Sequence, residues 1–369
     1  MKPDYDIVIV GAGVIGYSIA FRLMQNDPGL SLAVVGDPAN SLMASRAAAG
    51  MLAPYGECEK ADAFFEFCRE SLNKYPAFIQ SLEEKSGQSV YFSQAGSVMP
   101  ESQFGERWDE RIRFFEDQNI AYQVWDKATV RSRLPGLSEN CGRVIWTPEA
   151  QVNNRQMHDA LKTASVKAGV HTLWENVTGF RLLKDRIESA ITDNGEIVGR
   201  KIVIAAGSWS PQLGKILGVS VPLKPIKGQM CRLAVEDDAL GYTVHGKMTY
   251  IAPWREGFGF VVGSTMEDRG YDPSVESDVI QDLIERASQI LPCLSRAPLL
   301  ETWTGLRPAP QDMSPIMGRS ARYENLYYST GHYRNGILQT PNQSDYLADT
   351  ILKSNPVEIP EFSPARYDL

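Results

Sequence analysis

The beginning of the chain carries the clearest pattern of hydrophobic and polar positions. The run Asp6–Val10 is apolar and β-branched after its first residue, which is typical of a strand buried on both faces of a parallel sheet. A glycine-rich segment follows, then a helical pattern to about Gln25 and a second apolar run over Leu32–Val35. These positions predict a β-α-β unit at the start of the chain.

Further along, short alternating segments are interspersed with amphipathic ones. The alternation predicts antiparallel strands over Val90–Phe92, Ser97–Met99, Arg143–Trp146, Leu223–Ala234, Met248–Ala252 and Phe258–Gly263. Apolar residues at helical spacing predict helices over Phe64–Leu82, Glu106–Gln118, Gln156–Ala168 and Ser274–Leu291. Two more buried strands, Lys201–Ala205 and Leu326–Ser329, and a last helix to about Leu352 complete the predicted elements.

Composition narrows the class of protein and its partners. The length of 369 residues predicts about two or three domains. With 37 Lys and Arg against 45 Asp and Glu, the net charge of −8 argues against nucleic acid or an anionic membrane as partner. Five scattered cysteines without a CxxC pair indicate reduced thiols, and no metal site is expected. No apolar run is long enough to span a bilayer, so a soluble, cytoplasmic protein is expected.

Gly11, Gly13 and Gly16 form a GxGxxG pattern between the first predicted strand and the first predicted helix. In that context the first glycine allows a tight turn, the second lets a pyrophosphate approach the backbone, and the third packs the helix on the strand. Free N–H groups at the start of the helix, around Val14 and Ile15, favour phosphate. The pattern predicts a bound dinucleotide, and the alternative is a plain glycine-rich turn.

The acidic residue that usually holds the adenosine ribose is displaced in this chain. It is expected about 20 positions after the glycines, at the end of the second strand. Gly36 stands at that place and Asp37 follows it. Asp37 either reaches the ribose or is only a turn residue before Pro38, and the sequence leaves both open.

Two distant segments favour FAD over NAD. Ala206-Gly207-Ser208-Trp209 follows a predicted strand and supplies small residues past which a cofactor can lie. Gly331–Leu338 precedes the last helix, whose N-terminus suits the negative charge of a reduced flavin. Segments at the start, middle and end of the chain that converge on one cofactor predict an α/β fold, in which a Rossmann-like domain is interleaved with an antiparallel-sheet (α+β) domain. The predicted boundaries are 1–88, 146–220 and 301–369 for the cofactor domain, and 89–145 and 221–300 for the substrate domain.

Several further stretches give the chain a specific resemblance. They are Arg46–Leu52, Glu57–Glu59, Pro225–Gln229, Tyr250–Pro253, Gly263–Met266, Gly305–Pro308 and Gly331–Leu338. In this order the chain resembles the D-amino-acid oxidase superfamily, and within it most closely the glycine oxidases of thiamine biosynthesis. The resemblance covers nearly the whole chain.

The resemblance implies an enzyme with noncovalent FAD, since no cysteine lies in Arg46–Met51 or Gly305–Gly318. It implies oxidation of a small amine such as glycine, sarcosine or a D-amino acid by hydride transfer to flavin N5. The imine then hydrolyses, and oxygen becomes hydrogen peroxide. A homo-oligomer is also implied. The cofactor-binding residues that follow are Gly11, Gly13, Val14, Ile15, Gly16, Asp37, Arg46, Ala47, Ala48, Ala49, Gly50, Met51, Val177, Ala206, Gly207, Trp209, Gly305, Arg307, His332, Arg334, Asn335, Gly336, Ile337 and Leu338.

Three residues are the candidates for substrate chemistry. Hydride transfer needs positioning more than an acid or a base. Arg307 can pair both oxygens of a substrate carboxylate, and the resemblance places the carboxylate-binding arginine there. Tyr250 is the second donor that the resemblance implies. Arg334 lies close to the flavin by the same resemblance, where it contacts either the substrate or the protein.

Methionines are expected to limit the size of the substrate. Met51 and Met266 match positions that line the pocket in the family, although a role in the core is the alternative for any methionine. Met248 stands where close relatives have a histidine, two residues before Tyr250. Glycine as the substrate is therefore less secure than amine oxidation.

Three other functions stay open on sequence alone. The first is a flavin dehydrogenase that passes electrons to another acceptor. The second is an oxidase of larger N-carboxymethyl amines. The third, from a different class, is a non-catalytic dinucleotide-binding protein, which the Gly305–Pro308 and Gly331–Gly336 segments disfavour.

Overall fold

The computed structural model describes residues 4–37, 40–58, 60–235, 240–254 and 259–369. The strands of these residues are β1 (Tyr5–Val10), β2 (Leu32–Val35), β3 (Met51–Leu52), β4 (Phe92–Ser93), β5 (Ser97–Pro100), β6 (Gln123–Trp125), β7 (Val144–Thr147), β8 (Ala150–Val152), β9 (His171–Leu173), β10 (Val177–Leu183), β11 (Arg186–Thr192), β12 (Gly195–Ile204), β13 (Leu223–Leu233), β14 (Thr243–His245), β15 (Tyr250–Pro253), β16 (Phe260–Gly263), β17 (Leu299–Pro310), β18 (Ile316–Arg319) and β19 (Leu326–Thr330). The α-helices are α1 (Val14–Asn26), α2 (Ala44–Ala47), α3 (Pro54–Glu57), α4 (Ala63–Ser86), α5 (Glu101–Phe104), α6 (Arg107–Asp117), α7 (Lys127–Arg133), α8 (Asn154–Lys167), α9 (Ser210–Ile216), α10 (Ser277–Ile290) and α11 (Gly336–Leu352).

The first sheet has a parallel centre. Strands β9, β2, β1, β12 and β19 lie side by side and parallel, and the hairpin β10–β11 and strand β18 extend the sheet antiparallel. Ile7 and Ile9 of β1 face the helices α1, α4, α8 and α11, whereas Val8 and Val10 face α9 and the hairpin. Because both faces are covered, the strand has no polar position after Asp6, as the apolar run predicts.

The second sheet is mostly antiparallel, in the order β17-β13-β16-β15-β14-β5-β7-β6. One of its faces packs on α10, whose Ile280, Leu283, Ala287 and Ile290 are buried at the spacing that predicts an amphipathic helix. Alternate residues point to the opposite face. That face, which includes Tyr250, is turned toward the first sheet and forms one side of a cavity.

A third, small sheet of β3, β8 and β4 lies beside the other two. Residues from the beginning, middle and end of the chain share the first sheet, which agrees with the predicted α/β class and interleaved order. The exact domain boundaries stay predictions. Two of them, at 145 and 300, fall within the strands β7 and β17.

The elements differ from the sequence prediction mainly in the middle of the chain. Strand β17 and the hairpin β10–β11 were not predicted, and the predicted strand Met248–Ala252 begins only at Tyr250. Residue 258, at the start of another predicted strand, lies outside the described residues. The glycine and prolines of β17 lower its intrinsic strand preference, but pairing with β13 along its whole length compensates.

Candidate functional site

A cavity of about 1330 Å³ lies between the first and second sheets. Its lining includes two regions with different chemistry. The glycine-loop part comprises the backbone of Gly11–Ile15 with Ser45 from α2. The arginine part comprises Arg307, Tyr250, Ser264, Arg334 and Glu57.

The glycine loop is as tight as the motif predicts. Gly11 has φ +130°, and a Cβ there would lie 2.2 Å from the carbonyl oxygen of Ala205, just after β12. A Cβ at Gly16 would lie 1.9 Å from the carbonyl oxygen of Gly11. Both positions therefore exclude any side chain, because only glycine permits such close backbone contact. Gly16 packs the helix on the loop and does not itself line the cavity.

Ser45 stands over the start of α1, and the sequence analysis did not identify it. Its Oγ accepts a hydrogen bond from the N–H of Val14 at 3.1 Å, and a Cβ on Gly13 would lie 2.9 Å from the same Oγ. The side chain of His158 supports the loop from behind, since its Nε2 donates to the carbonyl oxygen of Ala12 at 2.8 Å. The helix N-terminus thus faces the cavity, where an anionic group is favoured.

Asp37 lines the cavity at the end of β2, close to the segment that carries Glu175 and Val177. Gly36 has φ +152°, and a Cβ there would lie 3.1 Å from the N–H nitrogen of Ala12. The glycine at the usual acidic position is therefore a packing requirement of this chain. A contact of Asp37 with a ribose stays a prediction.

The segment after α2 runs along the cavity wall. Ala47, Ala48, Ala49, Gly50 and Met51 all line the cavity. The indole N–H of Trp303 donates to the carbonyl oxygen of Ala47 at 2.9 Å, and a Cβ on Gly305 would lie 2.3 Å from the Cβ of Ala47. Close packing of small residues thus holds this segment against β17.

The segments that favoured FAD also reach the cavity. Ala206, Gly207 and Trp209 line it after β12, and His332, Gly336 and Ile337 line it around the start of α11. Tyr333, which also lines the cavity, has φ +46°, a left-handed conformation that is uncommon for a residue other than glycine.

His332 is a neutral hydrogen-bonding group in this loop. It is buried, and burial lowers its pKa to about 4, with the hydrogen bond to Gln339 acting in the opposite direction. Its Nδ1 donates to Oε1 of Gln339 at 2.6 Å, and its Nε2 lies 3.3 Å from Oγ of Ser329. These bonds fix the ring as part of the loop and agree with a shaping role.

Arg307 is held in place by three features of the second sheet. Its Nη1 donates to the carbonyl oxygen of Thr265 at 3.0 Å, and its Nη2 donates to Oγ of Ser264 at 2.5 Å. Its guanidinium lies over Gly228, where a Cβ would come within 2.3 Å of it. Burial lowers the pKa of the Arg307 guanidinium, which still carries its charge, and an anion placed beside it would act in the opposite direction.

Tyr250 lies next to Arg307 and remains protonated at ordinary pH. Its ring crosses Gly263 on the neighbouring strand, where a Cβ would lie 2.5 Å from the hydroxyl oxygen. Burial raises its pKa to about 12, and the charge of Arg307 together with a hydrogen bond to Ser264 acts in the opposite direction. The two predicted carboxylate donors are therefore neighbours, and Ser264 contacts both.

Arg334 and Glu57 form an ion pair at the cavity wall. The Nε of Arg334 lies 3.8 Å from Oε2 of Glu57, and the guanidinium of Arg334 lies over the ring of Tyr333. Oε2 of Glu57 is buried, and it accepts no hydrogen bond from the residues that the structure describes. A carboxylate in this state is ready to accept a donor from a ligand.

The predicted pocket methionines line the cavity with different exposure. Met51 is half-buried, whereas Met248 and Met266 are exposed, at 56% and 55%. The sulfur of Met266 lies 3.6 Å from the hydroxyl of Tyr333, which donates to it. The two exposed side chains are thus able to change rotamer around a ligand, in keeping with the flexibility of methionine.

The structure does not bring three other predicted cofactor-binding residues to the cavity. Arg46 points away and pairs with Asp159 at 2.7 Å. Asn335 is the buried residue that precedes α11, and Leu338 is packed in the core, where its carbonyl oxygen accepts from Ser71. Each belongs to a conspicuous stretch of sequence, and a contact of its side chain with the cofactor stays a prediction.

Ser45, Ser264 and Glu57 were missed as individual residues, although they lie beside or within stretches that carried the resemblance. His245, which also lines the cavity, lies opposite Tyr250 across β14 and β15. No motif in the sequence indicated a role for it. Within the described ranges, no group of three or more His, Cys, Asp or Glu could hold a metal ion. No helix among the same residues is long and apolar enough to cross a membrane.

The residues present fit a long dinucleotide. The glycine loop and the start of α1 line one end of the cavity, where a side chain on Gly11 or Gly13 would not fit, and the cavity continues past Ala206–Trp209 to Arg307. The lining is backbone and small side chains on one side, and polar groups suited to a small anion on the other.

Comparison with known proteins supports this fit. The profile of the family described as FAD dependent oxidoreductase matches residues 6–350. The chain is similar to the bifunctional protein ThiO/ThiG of Trichormus variabilis, with 35% identity over 361 residues, which are 95% of this chain and 54% of that protein. The chain thus spans about half the length of this relative.

Relatives of the chain's own length are also found. The glycine oxidase of Pseudomonas aeruginosa is 30% identical, over 98% of this chain and 97% of that protein. The crystal structure of glycine oxidase from Geobacillus kaustophilus matches with a TM-score of 0.90 and 26% identity, over 97% of this chain and 98% of that one. The resemblance seen in the sequence is therefore confirmed.

Proposed function

Because the chain belongs to the family of FAD dependent oxidoreductases, we propose that it oxidises a small amino acid or N-substituted glycine at the carbon that carries the amine. The cofactor is FAD. The substrates in question are glycine, sarcosine and D-amino acids, the products are an imine or 2-oxo acid and hydrogen peroxide, and the protein is a homo-oligomer. Glycine oxidases among the relatives support this substrate class.

The observation that carries the proposal is the pairing of Arg307 and Tyr250 on the face of the second sheet that borders the cavity. A planar guanidinium and a protonated hydroxyl beside it suit a carboxylate with two oxygens. Ser264 and Thr265 fix the guanidinium, so the carboxylate is bound in one orientation. Such positioning supplies a large part of the rate enhancement when two reacting groups must be aligned.

Bound FAD would supply a two-electron acceptor for the oxidation. The glycine loop, Ser45 and the segment Ala47–Gly50 would hold it, together with the lining residues after β12 and before α11. These groups leave the polar side chains of the arginine part free to bind the substrate.

The arginine part offers separate groups to the carboxylate and to the amine of the substrate. Arg307 and Tyr250 bind the carboxylate, and Tyr250 donates throughout the neutral range because its pKa is about 12. Glu57 and Arg334 lie on the cavity wall contributed by α3 and the loop before α11. A carboxylate there is able to accept an N–H of the amine.

The proposal is tested with purified holoprotein under anaerobic conditions. Glycine, sarcosine, D-amino acids and N-carboxymethyl amines are added in turn, and the flavin absorption band is followed. We expect at least one small amine to bleach the band, and admission of air to restore it with one peroxide per turnover. Bleaching without recovery in air would replace the oxidase with a dehydrogenase. A band that no amine in the panel bleaches would overturn the proposal.

A further inference from the structure

The single-turn helix α3 (Pro54–Glu57) is held by buried charged groups from other parts of the chain. It contributes Gly56 and Glu57 to the cavity lining, and its Pro54 and Tyr55 are buried. One helical turn has almost no stability of its own, since nucleation of a helix is unfavourable. Its place in the wall therefore depends on these outside contacts.

Glu149 binds the N-terminal side of the turn. Its side chain is buried, and its Oε1 accepts hydrogen bonds from the N–H groups of Tyr55 and Gly56, each at 2.7 Å. A buried carboxylate is unfavourable unless hydrogen bonds or an opposite charge compensate it. Glu149 lies between β7 and β8, far from the turn in sequence.

Arg111 binds the other side of the turn. Its Nη1, on the buried side chain from α6, donates to the carbonyl oxygen of Tyr55 at 3.1 Å and of Cys58 at 2.5 Å. The negative group thus meets the N–H end of the turn and the positive group meets the carbonyl end. This arrangement matches the dipole of the turn at both ends.

His245 connects the turn to the sheet that carries Tyr250. Its Nε2 lies 3.3 Å from Oε2 of Glu149, and neither atom has a hydrogen-bond partner among the described residues. Its ring packs on Gly56, where a Cβ would lie 3.0 Å from Cε1 and Nε2. Because His245 and Tyr250 are opposite each other in register, their side chains share the face that borders the cavity.

We propose that Glu149, Arg111 and His245 are positioning residues, which hold the turn Pro54–Glu57 so that the Glu57 carboxylate faces the amine end of a substrate whose carboxylate binds Arg307. This inference rests on the proposed function. In this view, recognition of the amine depends on Glu149, Arg111 and His245, although none of them touches the reacting atoms. The glycine loop and α3 share no hydrogen bond in the described residues, so flavin content serves as the check that FAD binding is unaffected.

The most specific test of the positioning role adds one methyl group to the turn, at Gly56. Gly56→Ala places a Cβ against the His245 ring without removing any hydrogen bond, whereas His245→Ala removes the ring and makes room for it. We expect Gly56→Ala to raise KM for the amine about 10-fold with kcat changed less than about 2-fold, and to do little further in the His245→Ala background. The matched control is Gly179→Ala in β10, where a Cβ would lie at ordinary van der Waals distance from Ile191.

Calorimetry on dithionite-reduced holoprotein gives a second readout, since bound ligand cannot be oxidised there. Glycine and acetate share a carboxylate, but only glycine has an amine. We expect Gly56→Ala and Glu149→Gln to weaken glycine about 10-fold and acetate less than about 2-fold, with the flavin-to-protein absorbance ratio unchanged. Equal weakening of both ligands, loss of flavin, or no change in either ligand would overturn the positioning role.

The two proposals fail differently. If wild-type protein binds glycine but no amine in the panel reduces it, the proposed oxidation fails. If wild-type protein is reduced by an amine but Gly56→Ala and His245→Ala have additive effects, the proposed function stands and the positioning role is wrong.

Discussion

The glycine-loop part and the arginine part of the cavity differ in the atoms that line them. In the first, the wall is mainly backbone: Gly11 and Gly16 have no room for a side chain, and the start of α1 faces the cavity with its N–H groups. In the second, the wall is side chains brought together from β15, β17 and α3. The first suits a ligand common to many proteins, whereas the second suits a particular one.

The difference decides how a substitution acts. A change in the glycine-loop part alters the shape of the backbone, so it affects whether FAD binds at all. A change in the arginine part leaves the backbone in place and alters the charge or the position of a side chain, so it affects substrate binding and rate. Substitutions in the two parts therefore separate loss of FAD from loss of turnover.

The largest effect is expected in the glycine-loop part. Gly13→Val places a branched side chain against Oγ of Ser45, where even a Cβ would lie 2.9 Å away, and covers the N–H groups of α1. We expect FAD to be lost, with affinity lowered by about 100-fold or more. Flavin content after purification measures this. Gly241→Val, at a position with open space, should stay yellow. A fully loaded Gly13→Val protein would contradict the backbone account.

Arg307→Ala should show the opposite behaviour, with FAD retained and substrate turnover lost. Removal of a bidentate, charge-assisted contact should lower kcat/KM by about 30- to 1000-fold, or about 2–4 kcal/mol. Steady-state kinetics with the best amine of the panel measure the loss. Arg131→Ala, which removes an exposed ion pair, is the control. If the kinetics of Arg307→Ala match those of wild type, Arg307 does not bind the carboxylate.

Tyr250→Phe should have a smaller effect that does not depend on pH. The hydroxyl of Tyr250 has a pKa of about 12, so it stays protonated and donates throughout the range from about pH 6 to pH 10. We expect kcat/KM to fall about 10-fold by the same factor at every pH in that range. Tyr328→Phe removes a buried hydroxyl in the core and serves as the control. A loss that varies across this range would show that Tyr250 titrates.

The smallest effect concerns stability. His332 is neutral when folded because burial lowers its pKa to about 4, against a value of 6.5 when unfolded. Below pH 6.5 the unfolded chain binds the proton more readily, so this group contributes stability that is present above pH 6.5 and is lost as the pH falls toward 4. His332→Asn should flatten the fall in Tm over this range. Parallel Tm curves for both proteins would contradict this.

The sequence predicted the glycine-loop part well, because its signal is local. Gly11, Gly13 and Gly16 lie within one strand–helix turn, and the same six residues determine the geometry. Gly36 was misleading as a missing acid, because a Cβ there would crowd the backbone nitrogen of Ala12, which follows the neighbouring strand β1. Local pattern cannot show a contact of that kind.

The arginine part was predicted less completely for a physical reason. Arg307 and Tyr250 were found through the resemblance. Ser264 and Glu57 join them only when β17, β13, β16 and β15 align in one sheet and α3 packs near it. Glu149, Arg111 and His245 are ordinary charged or polar residues in the sequence. Their pairing with the turn at 54–57 depends on tertiary contacts across long separations, which no periodicity encodes.

The position of β19 has a consequence for biosynthesis. This strand, Leu326–Thr330, completes the parallel centre of the first sheet beside β12, and α11 after it covers the same sheet as α1. A nascent chain that has left the ribosome up to α10 therefore carries the glycine loop but an open sheet edge. Such edges invite pairing with other chains. Because Gly305–Pro308 and the residues just before α11 also line the cavity, the complete cavity for FAD forms only after these late segments have been made.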